Sequence, residues 1–393
     1  MKFDELGMTP AWVNALAAEG ISEPTPIQRQ AIAAITAGGD TYVSSETGTG
    51  KTLAYLLPLL GQLDAEGKAL QVMVLVPTHE LALQIRGQVS TLAQAAGSEI
   101  RSQVLVGGTS MRRQLEQLKA KPHLIAGTAQ RVLELIKMRK LKVHTVRCVV
   151  IDEADRMLTN PVLGTVQAIL HATPRSRQLV FVSATQQAQS RQQADALAPN
   201  LVMIDTGGDR VSETIEHLYV VIEERKKPDL VRRLIHAIKP ERALVFVHRN
   251  ARAEELAGKL AFHKMRAVWI HGAASKIERQ NALRAFRSGQ AQVLISSDLS
   301  ARGMDLPGVT HVFNLDPPTQ SQDYLHRAGR TGRAGAQGCS VLLLDPRETR
   351  LVTRYQRELG IELHPIHLER GTVEPGVGGA GEQGGRSHQS RSR

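Results

Sequence analysis

The residues best suited to chemistry form a glycine-rich segment, Ser45-Glu46-Thr47-Gly48-Thr49-Gly50-Lys51-Thr52. Backbone N–H groups of such a loop cradle phosphates, the lysine neutralises them, and the threonine hydroxyl is a ligand for Mg²⁺. Further along, Asp152-Glu153-Ala154-Asp155 follows the apolar run Cys148-Val149-Val150-Ile151. Asp152 therefore closes a buried strand and can hold the same Mg²⁺. Together the two motifs predict binding and hydrolysis of a nucleoside triphosphate.

The elements that position these motifs are predicted from apolar, β-branched runs separated by segments of helical spacing. Continuous rather than alternating apolar runs indicate strands buried on both faces, which favours parallel α/β sheets. Most polar signatures follow a strand directly, and open α/β sheets bind ligands at the carboxyl ends of their strands. The predicted strands lie at 72–76, 104–106, 123–126, 148–151, 179–182, 243–247, 267–270, 293–295, 309–313 and 340–344.

A chain of 393 residues is long for one domain, and its strands fall into two sets. The fold class is therefore α/β, with two tandem parallel-sheet domains, at 1–206 and 215–365. A short polar linker is predicted at 207–214. Residues 366–393 are predicted to be a disordered tail, because from 371 onward the chain is rich in Gly, Ser, Gln and Arg and has no aromatic residue.

Charge and composition narrow the class of protein. The net charge is +11 and the pI about 9.9, which favours a polyanionic partner. Residues 111–147 hold ten basic and two acidic groups, although charge alone is explained equally well by a solvated basic surface.

No apolar stretch reaches the roughly 18 residues that span a bilayer, and the acidic N-terminus is unlike a signal peptide. We therefore expect a cytoplasmic protein with no membrane contact. Its two cysteines, Cys148 and Cys339, are expected to be buried thiols.

Over residues 3–345 the chain resembles the DEAD-box family of ATP-dependent RNA helicases, in its compact bacterial type. A dozen short motifs occur in the order and spacing of that family. The resemblance implies two RecA-like domains, ATP and Mg²⁺ as cofactors, structured or duplex RNA as partner, and a monomer. One ATP site split between two domains would make hydrolysis depend on domain closure. The overall likeness to compact bacterial members further implies a role in ribosome assembly or cold adaptation.

The resemblance also implies where ATP binds. The segment Gly20-Ile21-Ser22-Glu23-Pro24-Thr25-Pro26-Ile27-Gln28 is similar to the family's Q motif, and a glutamine amide can both donate to and accept from the adenine edge. Ile21 replaces the family's usual aromatic residue, and Ser45 its alanine. Asp305 is expected near the ribose. The implied nucleotide-binding residues are Phe3, Ile21, Gln28, Thr47, Gly48, Thr49, Gly50, Lys51, Thr52 and Asp305.

Catalysis is implied for residues of both domains. Thr52 and Asp152 would hold Mg²⁺, partly through water, and Glu153 would orient or deprotonate the attacking water. In His326-Arg327-Ala328-Gly329-Arg330-Thr331-Gly332-Arg333, two arginines resemble those that reach the γ-phosphate from the second domain. The implied catalytic residues are Lys51, Asp152, Glu153, Arg330 and Arg333. The residues implied to couple the domains are Asp155, Ser183, Thr185 and His326.

RNA contacts are implied by further matches in both domains. Hydroxyls, backbone N–H groups and basic side chains at these positions would read phosphates and 2′-OH groups rather than bases. The chain departs from the family at His79, Ala129-Gln130 and Lys276. The implied RNA-binding residues are Pro77, Thr78, His79, Gly107, Gly108, Thr128, Arg131, Phe246, Gly272, Arg279 and Ser297.

Two other functions compete with an RNA-dependent ATPase that separates short duplexes. One is an ATP-gated RNA clamp or scaffold with little unwinding activity; the complete set of catalytic residues argues against it. The other is a DNA-translocating motor of the same superfamily, against which the Q motif and the Ala-Asp ending of the DEAD segment argue by resemblance. Fold alone would not separate these, because such α/β domains host many functions.

Overall fold

The computed structural model describes residues 1–45, 49–184, 188–205, 214–270, 274, 276–297, 306, 308–332 and 336–376. Seven parallel strands form the first sheet in the order β3-β4-β2-β5-β6-β1-β7. They are β1 Thr41–Ser44, β2 Val72–Val76, β3 Ser102–Leu105, β4 Leu124–Thr128, β5 Cys148–Asp152, β6 Gln178–Ser183 and β7 Val202–Asp205. Because all are parallel, their carboxyl ends meet at one edge.

Helices cover both faces of this sheet because its strands are apolar on both sides. Val72, Val74 and Val76 of β2 pack into one core cluster, whereas the intervening Met73 and Leu75 pack into another. The helices are α1 Pro10–Ala18, α2 Pro26–Thr36, α3 Lys51–Gln62, α4 His79–Ala95, α5 Met111–Leu118, α6 Ala129–Lys137, α7 Ala154–Met157, α8 Leu163–Ala172 and α9 Ala188–Leu197.

The second sheet has eight strands in the order β10-β11-β9-β12-β13-β8-β14-β15, parallel except for the last pair. They are β8 Ile215–Val221, β9 Ala243–Phe246, β10 Ala267–Ile270, β11 Val293–Ser296, β12 His311–Asn314, β13 Gly338–Leu344, β14 His364–Glu369 and β15 Thr372–Pro375. Its helices are α10 Lys227–Ile238, α11 Asn250–Phe262, α12 Lys276–Arg287, α13 Ser321–Ala328 and α14 Arg350–Leu359. The predicted α/β fold with two parallel sheets is confirmed.

Two features of the second half differ from the prediction. The domain boundary at 365 falls inside β14, and residues 366–375, predicted as part of the disordered tail, form the β14–β15 hairpin at the sheet edge. The hairpin was missed because its residues are mostly polar, and only Ile366 of its first strand is buried. The rest of the tail, from 377, lies outside the described residues, as does the predicted linker up to 213. The division into domains stays a prediction.

Both cysteines lie in strands, as expected, and burial raises the pKa of each thiol. Among the described residues, no helix combines the length and apolar character that crossing a membrane requires.

Candidate nucleotide and RNA site

The phosphate loop joins β1 to α3 at the carboxyl edge of the first sheet. Strand β1 is fully buried between β6 and β7, which fixes the start of the loop. At its end Lys51 is the first residue of α3, so the N–H groups of the first helical turn face the loop. The Lys51 ammonium donates to the carbonyl oxygen of Ser45, and the Ser45 hydroxyl donates to Thr49 Oγ1 at 2.9 Å. The predicted contacts of Thr47 and Gly48 lie outside the described residues.

The Q motif packs directly beneath this loop. Thr25 Oγ1 donates to the Thr49 carbonyl at 2.8 Å, and Gln28 Nε2 donates to the Gly50 carbonyl at 3.2 Å. Gln28 Oε1 also accepts from the Thr25 backbone N–H at 3.0 Å. The Gln28 amide is thus engaged with its own chain at both ends, although an amide has capacity for further hydrogen bonds. Its predicted contact with adenine stays a prediction.

Any residue other than glycine at position 50 would disturb the contact between this position and Gln28. Its φ is +90°, and a Cβ added there would lie 2.4 Å from Gln28 Nε2. Of the other two residues predicted near the base, Phe3 is buried in the first core cluster and Ile21 is half-buried against that cluster. A contact of either side chain with the base stays a prediction.

The carboxylate predicted to hold Mg²⁺ is buried at the end of β5. Asp152 is 7% exposed, and its Oδ1 accepts from the Glu153 backbone N–H at 2.9 Å. Tyr55 donates its hydroxyl hydrogen to Asp152 Oδ2 at 2.9 Å, and Thr52 interacts with the same hydroxyl. Burial, followed by repulsion from Glu153, raises the pKa of Asp152 to about 6. A buried carboxylate beside a threonine hydroxyl is a set of hard oxygen ligands, which fits Mg²⁺.

Tyr55 is the residue that sequence reasoning missed at this position. It lies one helical turn after Thr52 on α3 and links the two predicted metal ligands. The only sequence signal was its place three residues beyond the loop threonine, on the face of α3 that faces the sheet.

Glu153 stands at a sharp turn from β5 into α7. Its φ of 51° and ψ of 51° are left-handed, a conformation that costs a non-glycine residue about 1–3 kcal/mol and is common at functional sites. Its side chain is 15% exposed, and Arg156 Nη1 contacts Glu153 Oε2 at 3.3 Å. Arg156, which the sequence did not suggest, therefore fixes the orientation of this carboxylate.

A contact between the two sheets joins the DEAD segment to α13. His326 Nε2 lies 3.2 Å from Asp155 Oδ2, and the two side chains are 8% and 1% exposed. Arg330, also buried, donates from Nε to the His326 carbonyl at 3.2 Å. Ser183 ends β6, the strand that pairs with β5. The structure thus brings Asp155, His326 and Arg330 together; Thr185, Asp305 and Arg333 lie outside the described residues.

The predicted RNA residues of the first domain follow three neighbouring strands, β3, β4 and β2. Thr78 caps α4 by accepting from the Leu81 backbone N–H at 3.2 Å. Thr128 holds the corresponding N-cap position before α6, but its side chain forms no capping hydrogen bond. Arg131 forms an ion pair with Glu134 at 2.9 Å. One edge of the sheet carries all seven residues: Pro77, Thr78, His79, Gly107, Gly108, Thr128 and Arg131.

The predicted RNA residues of the second domain differ from one another in burial and in the partners that they contact. Arg279 of α12 pairs with Glu80 of α4, which is a second contact between the two domains. Phe246 is buried, and the Arg327 guanidinium lies 4.8 Å from its ring centroid, so its side chain faces the interior. Ser297 lies directly after β11. Gly272 lies outside the described residues, and all these RNA contacts stay predictions.

Residues 25–194 match the family model described as DEAD/DEAH box helicase, and residues 226–335 match the helicase conserved C-terminal domain. The chain is 43% identical to the DEAD-box ATP-dependent RNA helicase CshC of Bacillus cereus, over 92% of this chain and 91% of the relative. It is 36% identical to CshA of Geobacillus kaustophilus, over 88% of this chain and 74% of the relative.

Solved structures agree with these relatives. Dbp5 of S. cerevisiae, bound to RNA and ADP BeF3, superposes with a TM-score of 0.84 and 28% identity, covering 93% of this chain and 95% of Dbp5. Both family models, the extended identity to CshC and the shared fold agree with the motifs at the two sheet edges. The chain therefore belongs to the DEAD-box family of ATP-dependent RNA helicases.

Proposed function

We propose that this protein is an ATP-dependent RNA helicase that hydrolyses ATP when RNA holds its two domains together, and thereby separates short RNA duplexes or remodels ribonucleoproteins. The observation that carries the proposal is the buried contact between Asp155 and His326. It joins the segment that would hold Mg²⁺ and water to the helix that precedes the arginines of the other domain. Catalysis would thus require both domains at once.

In the proposed site, ATP lies across the loop between β1 and α3. Lys51 and the N–H groups at the start of α3 donate to its phosphates. The Lys51 ammonium gives up its hydrogen bond to the Ser45 carbonyl and donates to a phosphate oxygen instead. Gln28, already bonded to Gly50, reads adenine with its remaining amide capacity. Because the same glutamine supports the loop, base recognition and loop geometry are coupled.

Thr52 and Asp152 would hold Mg²⁺, and Tyr55 holds Asp152 by a hydrogen bond. The ion, when bound, would neutralise the phosphate oxygens and polarise the γ-phosphate. Asp152 is well suited because it is buried, and a cation relieves the cost of burying its charge.

Glu153 is the proposed base. Held by Arg156, it would orient a water for in-line attack on the γ-phosphorus and accept its proton. As the new P–O bond forms, the bond to the β-phosphate oxygen breaks, and ADP leaves with that electron pair. Arg330 and Arg333 would donate to the oxygens on which charge develops, as arginine fingers do.

RNA is proposed to bind along the carboxyl edge formed by β3, β4 and β2. Threonine hydroxyls, glycine backbone and Arg131 meet phosphates and 2′-OH groups there, so that shape rather than base sequence is recognised. Ribosomal RNA as target, a role in ribosome assembly or cold adaptation, a monomeric state and a cytoplasmic location complete the proposal. The biological role rests on the 43% identity to the DEAD-box ATP-dependent RNA helicase CshC of Bacillus cereus.

The test is steady-state ATP hydrolysis with and without structured RNA, with matched DNA as a control and with Mg²⁺ omitted in a parallel series. We expect RNA, but not DNA, to stimulate hydrolysis, and Glu153→Gln to bind ATP normally while losing turnover. Parental turnover in Glu153→Gln would overturn the catalytic assignment. Stimulation by RNA without separation of a short labelled duplex would favour the ATP-gated clamp.

A further inference from the structure

A lysine-rich pocket lies outside the site described above. Its lining includes four lysines, at 68, 121, 140 and 142, together with His144, and its cavity volume is about 370 Å³. Leu70, Leu118, Pro122 and Leu141 form an apolar floor beneath them. All four lysines and His144 are exposed. We call this set the lysine pocket.

The lysine pocket lies at the edge of the first sheet opposite to the ATP and RNA residues. Its loops precede β2, β4 and β5, whereas the proposed site follows the carboxyl ends of strands in the same sheet. Strand β2 has five residues, which at about 3.3 Å per residue separates the two edges by about 17 Å. The pocket is therefore no extension of the catalytic cleft.

The charge of the lysine pocket is not neutralised by ion pairs within the residues that the structure describes. None of the four ammonium groups forms an ion pair with a carboxylate of the described chain. The nearby Asp64 carboxylate instead accepts from the backbone N–H groups of Glu66 and Gly67, at 3.1 Å each. Lys121 and Lys140 follow helix ends, where cations offset the helix dipole. Lys68 and Lys142 belong to loops, so a favourable interaction with a helix dipole does not account for a lysine at either position.

The three loops of the pocket are held together by polar contacts. Arg101 donates from Nε to the Ala120 carbonyl at 2.9 Å and from Nη2 to the Gly67 carbonyl at 3.0 Å. Thr145 Oγ1 donates to the Leu70 carbonyl at 2.8 Å. Lys121 is held at a left-handed φ of 52°. The lysines are thus presented on a fixed frame, which lowers the entropy lost on binding a polyanion.

We propose that the lysine pocket binds phosphates of single-stranded RNA that extends from the RNA held at the opposite edge. This inference rests on the proposed function. Lysines are point charges that suit phosphates without reading bases, and the lining has no Phe, Tyr or Trp for stacking. RNA bound at the carboxyl edge would place its own extension near the pocket at a high effective concentration. An acidic peptide has no such tether, and we therefore favour RNA.

The distance between the edges sets the length of RNA required. At 3.4 Å per stacked nucleotide, 17 Å corresponds to about five nucleotides, and the path around the domain is longer than this straight line. A blunt short duplex should therefore not reach the lysine pocket, whereas a duplex with an extension of about 20 nucleotides should.

The first test compares the salt dependence of binding to these two RNAs. The variant replaces Lys68, Lys121, Lys140 and Lys142 by Gln. Each lost phosphate contact with a single strand flattens the slope of log K against log salt by about 0.7, so four contacts flatten it by about 2.8. Between about 50 and 200 mM salt the parent should therefore lose about 50-fold more affinity for the extended RNA than the variant does.

A matched control replaces four exposed or half-exposed lysines elsewhere, Lys2, Lys239, Lys259 and Lys264, by Gln. It removes the same charge, and Lys239 has a φ of 51°, close to that of Lys121. We expect the control to keep the parental slope with extended RNA. Equal flattening in both variants would mean that total charge, not the lysine pocket, is responsible, and would overturn the proposal.

The second test uses the unaltered protein, so it does not depend on the folding of a variant. Acetylation of lysines, read by mass spectrometry, should be slowed at Lys68, Lys121, Lys140 and Lys142 by the extended RNA but not by the blunt duplex. The proposal would be overturned if both RNAs gave equal acetylation of these lysines. It would also be overturned if polyglutamate protected them and the extended RNA did not. Failure of any RNA to stimulate ATP hydrolysis would instead refute the proposed function, which this footprint does not measure.

Discussion

The contact between His326 and Asp155 offers the sharpest test of how the two domains communicate. Replacing His326 by Ala removes a hydrogen bond to a carboxylate that is 1% exposed, so water does not compensate the loss. A hydrogen bond to a charged group contributes about 1.5–3 kcal/mol, and each 1.4 kcal/mol is a factor of ten. We therefore expect kcat/KM for RNA-stimulated ATP hydrolysis to fall about 10- to 150-fold.

The assay is steady-state ATP hydrolysis at varied RNA concentration, with His326→Gln as the matched variant. Glutamine keeps an N–H donor on a side chain of similar reach, and it should recover most of the loss. A double-mutant cycle with Asp155→Asn should give a coupling energy of at least about 1 kcal/mol. If the Ala and Gln variants were equally impaired, or if the two substitutions were additive, the contact would not transmit closure and our reasoning would be wrong.

Three further outcomes follow from single residues. Gly50→Ala should weaken ATP binding at least tenfold in a fluorescent-nucleotide titration, because its Cβ would meet Gln28 Nε2 and its φ of +90° disfavours a side chain; unchanged affinity would contradict this. Arg327→Lys should destabilise the second domain by about 2–4 kcal/mol in urea unfolding, because the buried guanidinium donates to Asn314 and to the carbonyl of Asp316 at 2.7 Å; a change below 1 kcal/mol would argue against it. Arg333→Ala should lower turnover roughly 10³-fold if it acts as an arginine finger, and a twofold loss would reduce it to a structural residue.

The strands that were missed show where sequence patterns lose information. All ten apolar runs became strands, but β1, β7, β8, β14 and β15 were not predicted. Strand β1, Thr-Tyr-Val-Ser, has polar residues at both ends and is recognisable mainly by the loop that follows it. Strand β7 lies at the sheet edge, where Val202 is exposed, and β8 alternates in burial. Short apolar runs are present at these two strands, at 201–204 and 218–222, but they were not assigned as strands.

The sequence alone determined the parts of this protein whose function is local. The phosphate loop, the DEAD segment and the arginine-rich segment around 326–333 are each contiguous, because a few adjacent residues set the backbone geometry and the charge. The family, and with it the fold, followed from their order. Even the opposite edges of the sheet are implicit in the alternation of strands and helices.

Only the tertiary structure decided which distant residues meet. Tyr55 reaches Asp152 across 97 positions, and His326 reaches Asp155 across 171. The lysine pocket likewise collects side chains from three loops that strand order makes neighbours, since β2 lies between β4 and β5. Hydrogen bonds and charge clusters of this kind depend on how strands pair and helices pack, and the spacing of residues along the chain does not encode them.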